Sequence, residues 1–331
     1  MAEISLLDLQ PHQVSRDLRG YSVMFYGAPK TGKTTVASHF PGALLCGFEK
    51  GYNALPGVFA QPINSWGDFK KVISQLKQPA VAEKFSTIIV DTGDIAYDYC
   101  AKYVCAREST AEKTYETLGD LPYGKGYALA QAEYDEQFRK ILQMNYGLVI
   151  ISHEKDKTFK DETGKEYNQI IPTLDTRAAQ VCERTCDIIG YIRTVDTENG
   201  QQTRIFLRGT PRYIAGSRFK YTPDSILFSY EDLVDCINAA VEKEASINAN
   251  NVTNEAIDRE IYNTDKNYNF IAMMDEFQTI VGELIQKSPN MASKITAIVD
   301  KHLGKGKKVG DCTEANAPQL DLILYDLKAL K

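Results

Sequence analysis

Eight residues constrain this chain more than any others: Gly27-Ala28-Pro29-Lys30-Thr31-Gly32-Lys33-Thr34, a G-x-x-x-x-G-K-[ST] string. An apolar run at 22–26 stands directly before it and a helical pattern at 33–40 follows. A glycine-rich turn between strand and helix aims successive backbone N–H groups at one point, and the helix dipole adds positive potential there. That is a cradle for a chain of phosphates. Gly27, Ala28, Pro29, Lys30, Thr31, Gly32, Lys33, Thr34 and Thr35 are the expected nucleotide contacts; the Lys33 ammonium reaches the terminal phosphates and the Thr34 hydroxyl ligates Mg²⁺. ATP and Mg²⁺ are the expected cofactors.

A second carboxylate must hold the metal's water shell, and Ser86-Thr87-Ile88-Ile89-Val90-Asp91 supplies an apolar strand ending in an acid. Asp91 is the expected magnesium partner, while Asp94 reads as a cap for the next helix. Hydrolysis also needs a group that orients or deprotonates water, and Asp91 is followed by Thr92, not by glutamate. Glu49, just past the second strand in Leu44-Leu45-Cys46-Gly47-Phe48-Glu49, stands at the edge where ligands bind in such sheets. On spacing alone it is either that base or a solvated loop carboxylate. A third strand ends in Ser152-His153. His153 there either senses the γ-phosphate or is a hydrogen-bonded structural residue.

Short apolar runs alternate with helical patterns from 21 to about 230, the signature of an α/β domain around a mostly parallel sheet. Expected strands are 22–26, 43–48, 87–90, 148–152, 187–195 and 203–207; Asn199-Gly200 suits a hairpin joining the last two antiparallel. Residues 1–20 read as a lead-in, 21–245 as the ATPase core, 246–267 as an Asn-rich and acidic linker, and 268–331 as a small helical module. In that module Phe270, Met274, Phe277, Val281 and Leu284 make one apolar stripe, Ile295, Ile298, Val299 and Leu303 a second, and Leu320, Ile323, Leu324 and Leu327 a third begun by Asn316 and Pro318. The polar, lysine-rich stretch 154–168, with Gly164, reads as a mobile loop.

With 331 residues, 43% of them hydrophobic, the chain can build a large core, and its apolar runs are too short for a membrane span. The start of the chain has no basic region followed by an apolar stretch, so the expected location is cytoplasmic. Seven cysteines, an odd number, make no disulfide framework, and Cys182 and Cys186 read as buried thiols more readily than as metal ligands. A net charge of -6 excludes coating of duplex DNA by bulk charge and leaves room for a local basic patch.

The order of these pieces, P-loop, glutamate after the next strand, aspartate strand, then a strand with a polar end and a basic loop, resembles a RecA-like ATPase core. Ser152-His153-Glu154-Lys155 looks like the sensor strand ends of RecA-like ATPases, and Ala215-Gly216-Ser217-Arg218-Phe219 like the A-K-N-R-F-G element of their bacterial RadA branch, with Gly216 at the lysine position. GAPKTGKTT with FEKGYNAL, PYGKGY and AGSR resembles the phage-encoded RecA-like single-strand annealing proteins of the fourth Sak group, and the stretch 304–330 looks like helical tails of phage recombination proteins. The resemblance implies ATP-driven work on single-stranded DNA, annealing or strand exchange, and self-association into a ring or filament with shared active sites. A single-strand-binding protein or another recombination protein is a further implied partner, and a host cytoplasm the implied location. Lys33, Glu49, Asp91 and His153 become catalytic candidates, with Arg218 as the finger offered to a neighbour and Lys220 or Arg212 as substitutes. Tyr115, Tyr123, Lys125 and Tyr127, with Lys155, Lys157, Lys160 and Lys165 and the 304–308 GKGKK run, are candidate DNA contacts or ordinary packing and solvated charge. A ring helicase or helicase loader shares every one of these motifs, and a nucleotide-gated partner switch would share the P-loop.

Overall fold

The computed structural model describes residues 7, 11–17, 20–198, 200–255, 268–288 and 290–330. They fall into two compact units, Met1–Asn263 and Thr264–Lys331. No helix among the described residues is long and apolar enough to cross a membrane.

In the first unit, β1 (Val14–Ser15) precedes the P-loop strand β2 (Ser22–Gly27), helix α1 (Lys33–Ser38) and β3 (Ala43–Gly47). Then come β4 (Phe59–Pro62), α2 (Trp66–Gln75), α3 (Pro79–Lys84), β5 (Thr87–Asp91), α4 (Gly93–Glu108), α5 (Lys125–Gln143) and β6 (Gly147–Ser152). A hairpin of β7 (Glu154–Lys160) and β8 (Glu166–Pro172) leads to α6 (Thr176–Thr185), β9 (Ile188–Thr197), β10 (Gly200–Phe206), β11 (Gly216–Ser217), β12 (Ser225–Leu227), α7 (Tyr230–Ile247) and β13 (Val252–Thr253).

The main sheet runs β12-β10-β9-β2-β6-β5-β3-β4, with β11 beside β9. From β9 to β4 every pairing is parallel, and β10, β11 and β12 add an antiparallel margin. Strands β2, β5 and β6 are buried along their whole length, so they read as unbroken apolar runs, as a sheet covered on both faces requires. Alternate residues sort between the faces. Met24, Ile88, Val90, Leu148 and Ile150 pack with Trp66, Phe69, Tyr134 and Phe138, whereas Val23, Phe25, Ile89, Val149 and Ile151 pack with Val36, Leu233 and Ile237. Each fully buried side chain of this kind contributes about 1.5–3 kcal/mol.

One strand, β6, separates the P-loop strand from the aspartate strand, the order of a RecA-like P-loop core. Register then places the site. Gly47 stands beside Asp91, Asp91 beside Ile151, and Tyr26 beside Ser152, so the ends of β2, β3, β5 and β6 share one edge.

The structure corrects several expectations. The stretch 154–168 is not a mobile loop but most of the antiparallel pair β7–β8, in which the facing backbone groups of the two strands pair while most side chains are polar. Its turn is built by Asp161, whose carboxylate accepts from the Thr163 and Lys165 amides at 2.9 Å. The lead-in and linker boundaries shift as well: β1 pairs with β13, Val252 is buried, and Arg16 reaches Glu242 at 2.6 Å, so 246–255 belongs to the core unit. Residues 256–267 and Asn199 lie outside the described residues. Of the candidate DNA contacts, Lys125 and Tyr127 open α5.

The second unit contains α8 (Phe270–Lys287), α9 (Met291–Leu303) and α10 (Ala317–Lys328). Its centre holds Ile295, Val299, Leu320, Ile323, Leu324 and Leu327, with Pro318 in the first turn of α10. On α8 the fully buried residues are Met273, Ile280 and Leu284; Phe270, Met274, Phe277 and Val281 pack half-buried beside them. The buried face is therefore turned by about one residue from the expected stripe, because two neighbouring helices cover α8 and widen the apolar sector it can bury.

Candidate active site

The chain leaves β2 at Gly27, where an added Cβ would stand 2.2 Å from the Ile192 carbonyl oxygen of β9. Only glycine allows that approach. Lys30 at φ 66° and Gly32 at φ 84° turn the loop, and α1 starts on Lys33. Lys33 is 5% exposed. Its ammonium donates to the carbonyl oxygens of Gly27 at 2.9 Å and Ala28 at 2.7 Å, the loop's own acceptors. Burial lowers its pKa, against the pull of Asp91, Glu154, Glu49 and Asp94.

Asp91 ends β5 and is 1% exposed. Its Oδ2 accepts from the Thr34 hydroxyl at 2.9 Å, while its Oδ1 is buried with no hydrogen-bond partner. Burial raises its pKa to about 6, the Thr34 hydrogen bond opposing and the Glu49 charge adding. An orphaned carboxylate oxygen beside a hydroxyl is the donor set a hydrated magnesium ion takes, so Thr34 and Asp91 fit the metal role.

Glu49 is drawn to this edge by its backbone, since the Phe48 and Glu49 amides both donate to the Asp91 carbonyl, at 2.7 and 3.2 Å. Its Oε1 lies 3.6 Å from His153 Nε2 at the end of β6. The carboxylate raises the imidazole's pKa against burial and the Lys33 charge. His153 Nδ1 is buried without a partner, as are Thr92 Oγ1 and Glu154 Oε2. Four under-satisfied polar atoms thus lie in residues 91–92 and 153–154, at the adjacent ends of β5 and β6.

Spacing did not single out Gly51. A Cβ there would lie 3.6 Å from Glu49 Oε1, 3.7 Å from Asp91 Oδ2 and 4.0 Å from Thr34 Oγ1. The three oxygens therefore converge on a point that glycine leaves open. Nothing in FEKGYNAL marks that role, because convergence depends on β3 and β5 being neighbours.

The structure brings together Lys33, Thr34, Glu49, Asp91 and His153, and it does not bring Arg218. That residue follows β11, which pairs with Ile188 and Ile189 beside Val23 and Met24, at the opposite end of β2 from the P-loop. Its guanidinium bonds to Asp187 at 3.0 Å and to the Arg184 carbonyl at 2.6 Å, and its side chain is 55% exposed. Lys220 sits over the Tyr221 ring, and the Arg212 carbonyl accepts from the Ile170 amide of β8. Tyr115 is half-buried against the core, whereas Tyr123 and Tyr127 are exposed, with Arg177 5.3 Å from the Tyr127 ring centre. On the β7–β8 hairpin Lys160 pairs with Glu166, and Lys155 donates to the Thr173 and Leu174 carbonyls. Phe159 and Tyr167 stack across it at 5.8 Å. Cys182 and Cys186 are buried free thiols.

A family model described as an AAA domain matches residues 19–219, more than half of the chain and all of the site above. The chain belongs to this AAA-domain family. The AAA-domain chain is also 31% identical over 335 residues to the SPbeta prophage-derived uncharacterized protein YorG of Bacillus subtilis (strain 168), with 99% of this chain and 98% of that one covered. Among solved structures it resembles the flagellar accessory protein FlaH from Methanocaldococcus jannaschii (12% identity, 64% of this chain and 85% of that one, TM-score 0.34). It also resembles the RadB recombinase (15%, 59% and 83%, TM-score 0.34). Overlaps that partial carry no functional weight. The AAA-domain chain is a P-loop NTPase by family and by the sheet order that carries its loop.

Proposed function

We propose that this chain binds and hydrolyses ATP with Mg²⁺ and couples the reaction to single-stranded DNA in phage-type recombination, by annealing or strand exchange. The observation that carries the ATPase reading is the convergence of Lys33, Thr34, Glu49, Asp91 and His153 on one sheet edge. Magnesium held by Thr34 and Asp91 would supply charge stabilisation between the terminal phosphates. Lys33 leaves the Gly27 and Ala28 carbonyls for phosphate oxygens, and Glu49 accepts the proton of the attacking water. His153 donates to the transferred phosphoryl group, whose bond to the leaving diphosphate breaks as the water's oxygen bonds to phosphorus.

The DNA reading rests on the RecA-like order of motifs and on the prophage origin of the relative. Exposed aromatics suit sequence-tolerant base contact: Tyr123, Tyr127 and Tyr167, the last stacked on the half-buried Phe159. The hairpin is not a basic arm by net charge, since 154–166 carries four lysines and five acids. Within a ring or filament, Arg218 is the group offered to a neighbour's phosphates, and it must first leave Asp187.

Steady-state ATPase rates with and without single-stranded DNA, over a range of protein concentrations at fixed salt, test this. Stimulation rising cooperatively with protein supports shared sites on DNA. ATP bound without any stimulation sinks the DNA reading and favours the nucleotide-gated switch.

A further inference from the structure

Thr173, the residue after β8, joins three parts of the site that lie far apart in sequence. Its hydroxyl donates to the Asp94 carboxylate in the first turn of α4, three residues after Asp91. With that proton committed, its oxygen is an acceptor, 3.1 Å away, for the hydroxyl of Ser152 at the end of β6, whose proton the His153 carbonyl at 3.2 Å shares. Its amide donates to the His153 carbonyl at 2.9 Å, and its own carbonyl accepts from Lys155 Nζ at 3.2 Å in β7. One threonine therefore fixes the backbone of His153, whose imidazole faces Glu49, and pins both feet of the β7–β8 hairpin to the start of α4.

We infer that Thr173 is a positioning residue of the ATPase site: it holds the end of β6 so that the His153 imidazole faces Glu49, and it ties that alignment to the hairpin. This rests on the ATPase reading above for its effect on rate, though not for its effect on geometry. Thr173→Val removes only the hydroxyl, with its bonds to Asp94 and Ser152 and its 3.4 Å contact to the His153 carbonyl, since valine keeps the shape and the backbone amide. Thr173→Ser restores it. The charged groups facing the imidazole are Glu49 after β3, Lys33 of α1, Asp94 of α4 and Asp91 of β5. Losing alignment with Glu49 removes the largest cause that raises the His153 pKa, so burial and Lys33, which push it down, weigh more against Asp94, which pulls it up.

The test uses the full chain. His153 is one of four histidines, so its ring signals are assigned by their loss in His153→Gln and titrated without nucleotide in wild type, Thr173→Val and Thr173→Ser. The expected result is a titration in Thr173→Val displaced to lower pH, with Thr173→Ser like wild type. In ATP hydrolysis Thr173→Val should lose about ten- to hundredfold in kcat with KM changed by less than about twofold, the pattern of a misplaced group and not of lost binding. A wild-type His153 titration in Thr173→Val overturns the inference. If the wild-type protein does not hydrolyse ATP, the functional reading fails, and the titration still decides whether Thr173 aligns His153.

Discussion

Two carboxylates buried among the described residues of the core unit are treated in opposite ways. Glu133 on α5 is 5% exposed, and both its oxygens are engaged: Oε1 accepts from Trp66 at 3.0 Å, Lys70 at 2.9 Å and Gln137 at 3.2 Å, and Oε2 from Arg107 at 3.1 Å. Burial pushes its pKa up, but the Lys70 and Trp66 hydrogen bonds and the charges of Lys70 and Arg107 prevail and hold it below the usual value. Asp91 is buried as deeply, receives one hydroxyl, keeps a bare oxygen and has its pKa pushed up to about 6. A buried charge serves the fold when its partners are internal, and it serves chemistry when a partner is left to arrive from solution.

The largest effect that sharpens this contrast is on rate. Glu49→Gln keeps the shape and removes the base, so kcat for ATP should fall by about 10²–10⁴-fold while nucleotide affinity holds; a variant that hydrolyses normally would remove Glu49 from the chemistry. Next comes a pair of stability measurements by denaturant titration. Glu133→Gln leaves Lys70, Trp66 and Arg107 short of an acceptor and should cost about 1–3 kcal/mol with the ATPase rate per folded molecule unchanged. Asp91→Asn should stabilise the ligand-free protein by about 1–3 kcal/mol near neutral pH and abolish turnover. If both substitutions destabilise equally, the contrast collapses.

The same contrast has a pH signature. Because the Asp91 pKa is higher folded than unfolded, the folded state binds more protons between about pH 4 and 6, and this group's contribution falls as pH rises through that window. Glu133, depressed in the fold, acts oppositely: its contribution is present above the usual glutamate pKa and lost as pH falls through the lower folded value. The stability advantage of Asp91→Asn over wild type should therefore grow from pH 4 to 6 and level off above it. An advantage independent of pH would contradict the buried-charge account. The smallest effect is steric. Gly51→Val places methyl groups where Glu49, Asp91 and Thr34 converge, and kcat should drop about tenfold with little change in thermal midpoint; an unaffected rate would show that the space is not used.

Much of the site could be read from the sequence because its signals are local. The P-loop, the aspartate after Ile88-Ile89-Val90 and the glutamate after β3 each sit at a strand end, and parallel strands deliver their ends to one edge. Thr173 and Gly51 carry no such signal, since their meaning lies in contacts across 79 residues to Asp94 and between two neighbouring strands. The β7–β8 hairpin is hidden by its composition: charged and polar residues stand on both faces, so the few apolar ones, Phe159 and Tyr167 among them, make no sustained alternation, and mutual backbone pairing marks it as strand. Arg218 was placed by its motif, but the antiparallel margin carries it back toward the start of β2 and away from the phosphate edge.

The measurement that bears most directly on the central claim is phosphate release from ATP with Mg²⁺ by wild type and by Lys33→Ala, which deletes the buried ammonium at the heart of the loop. Magnesium-dependent hydrolysis by wild type, lowered by about 10²–10³-fold or more in a folded Lys33→Ala, is the predicted result. Equal rates in the two proteins would contradict the account.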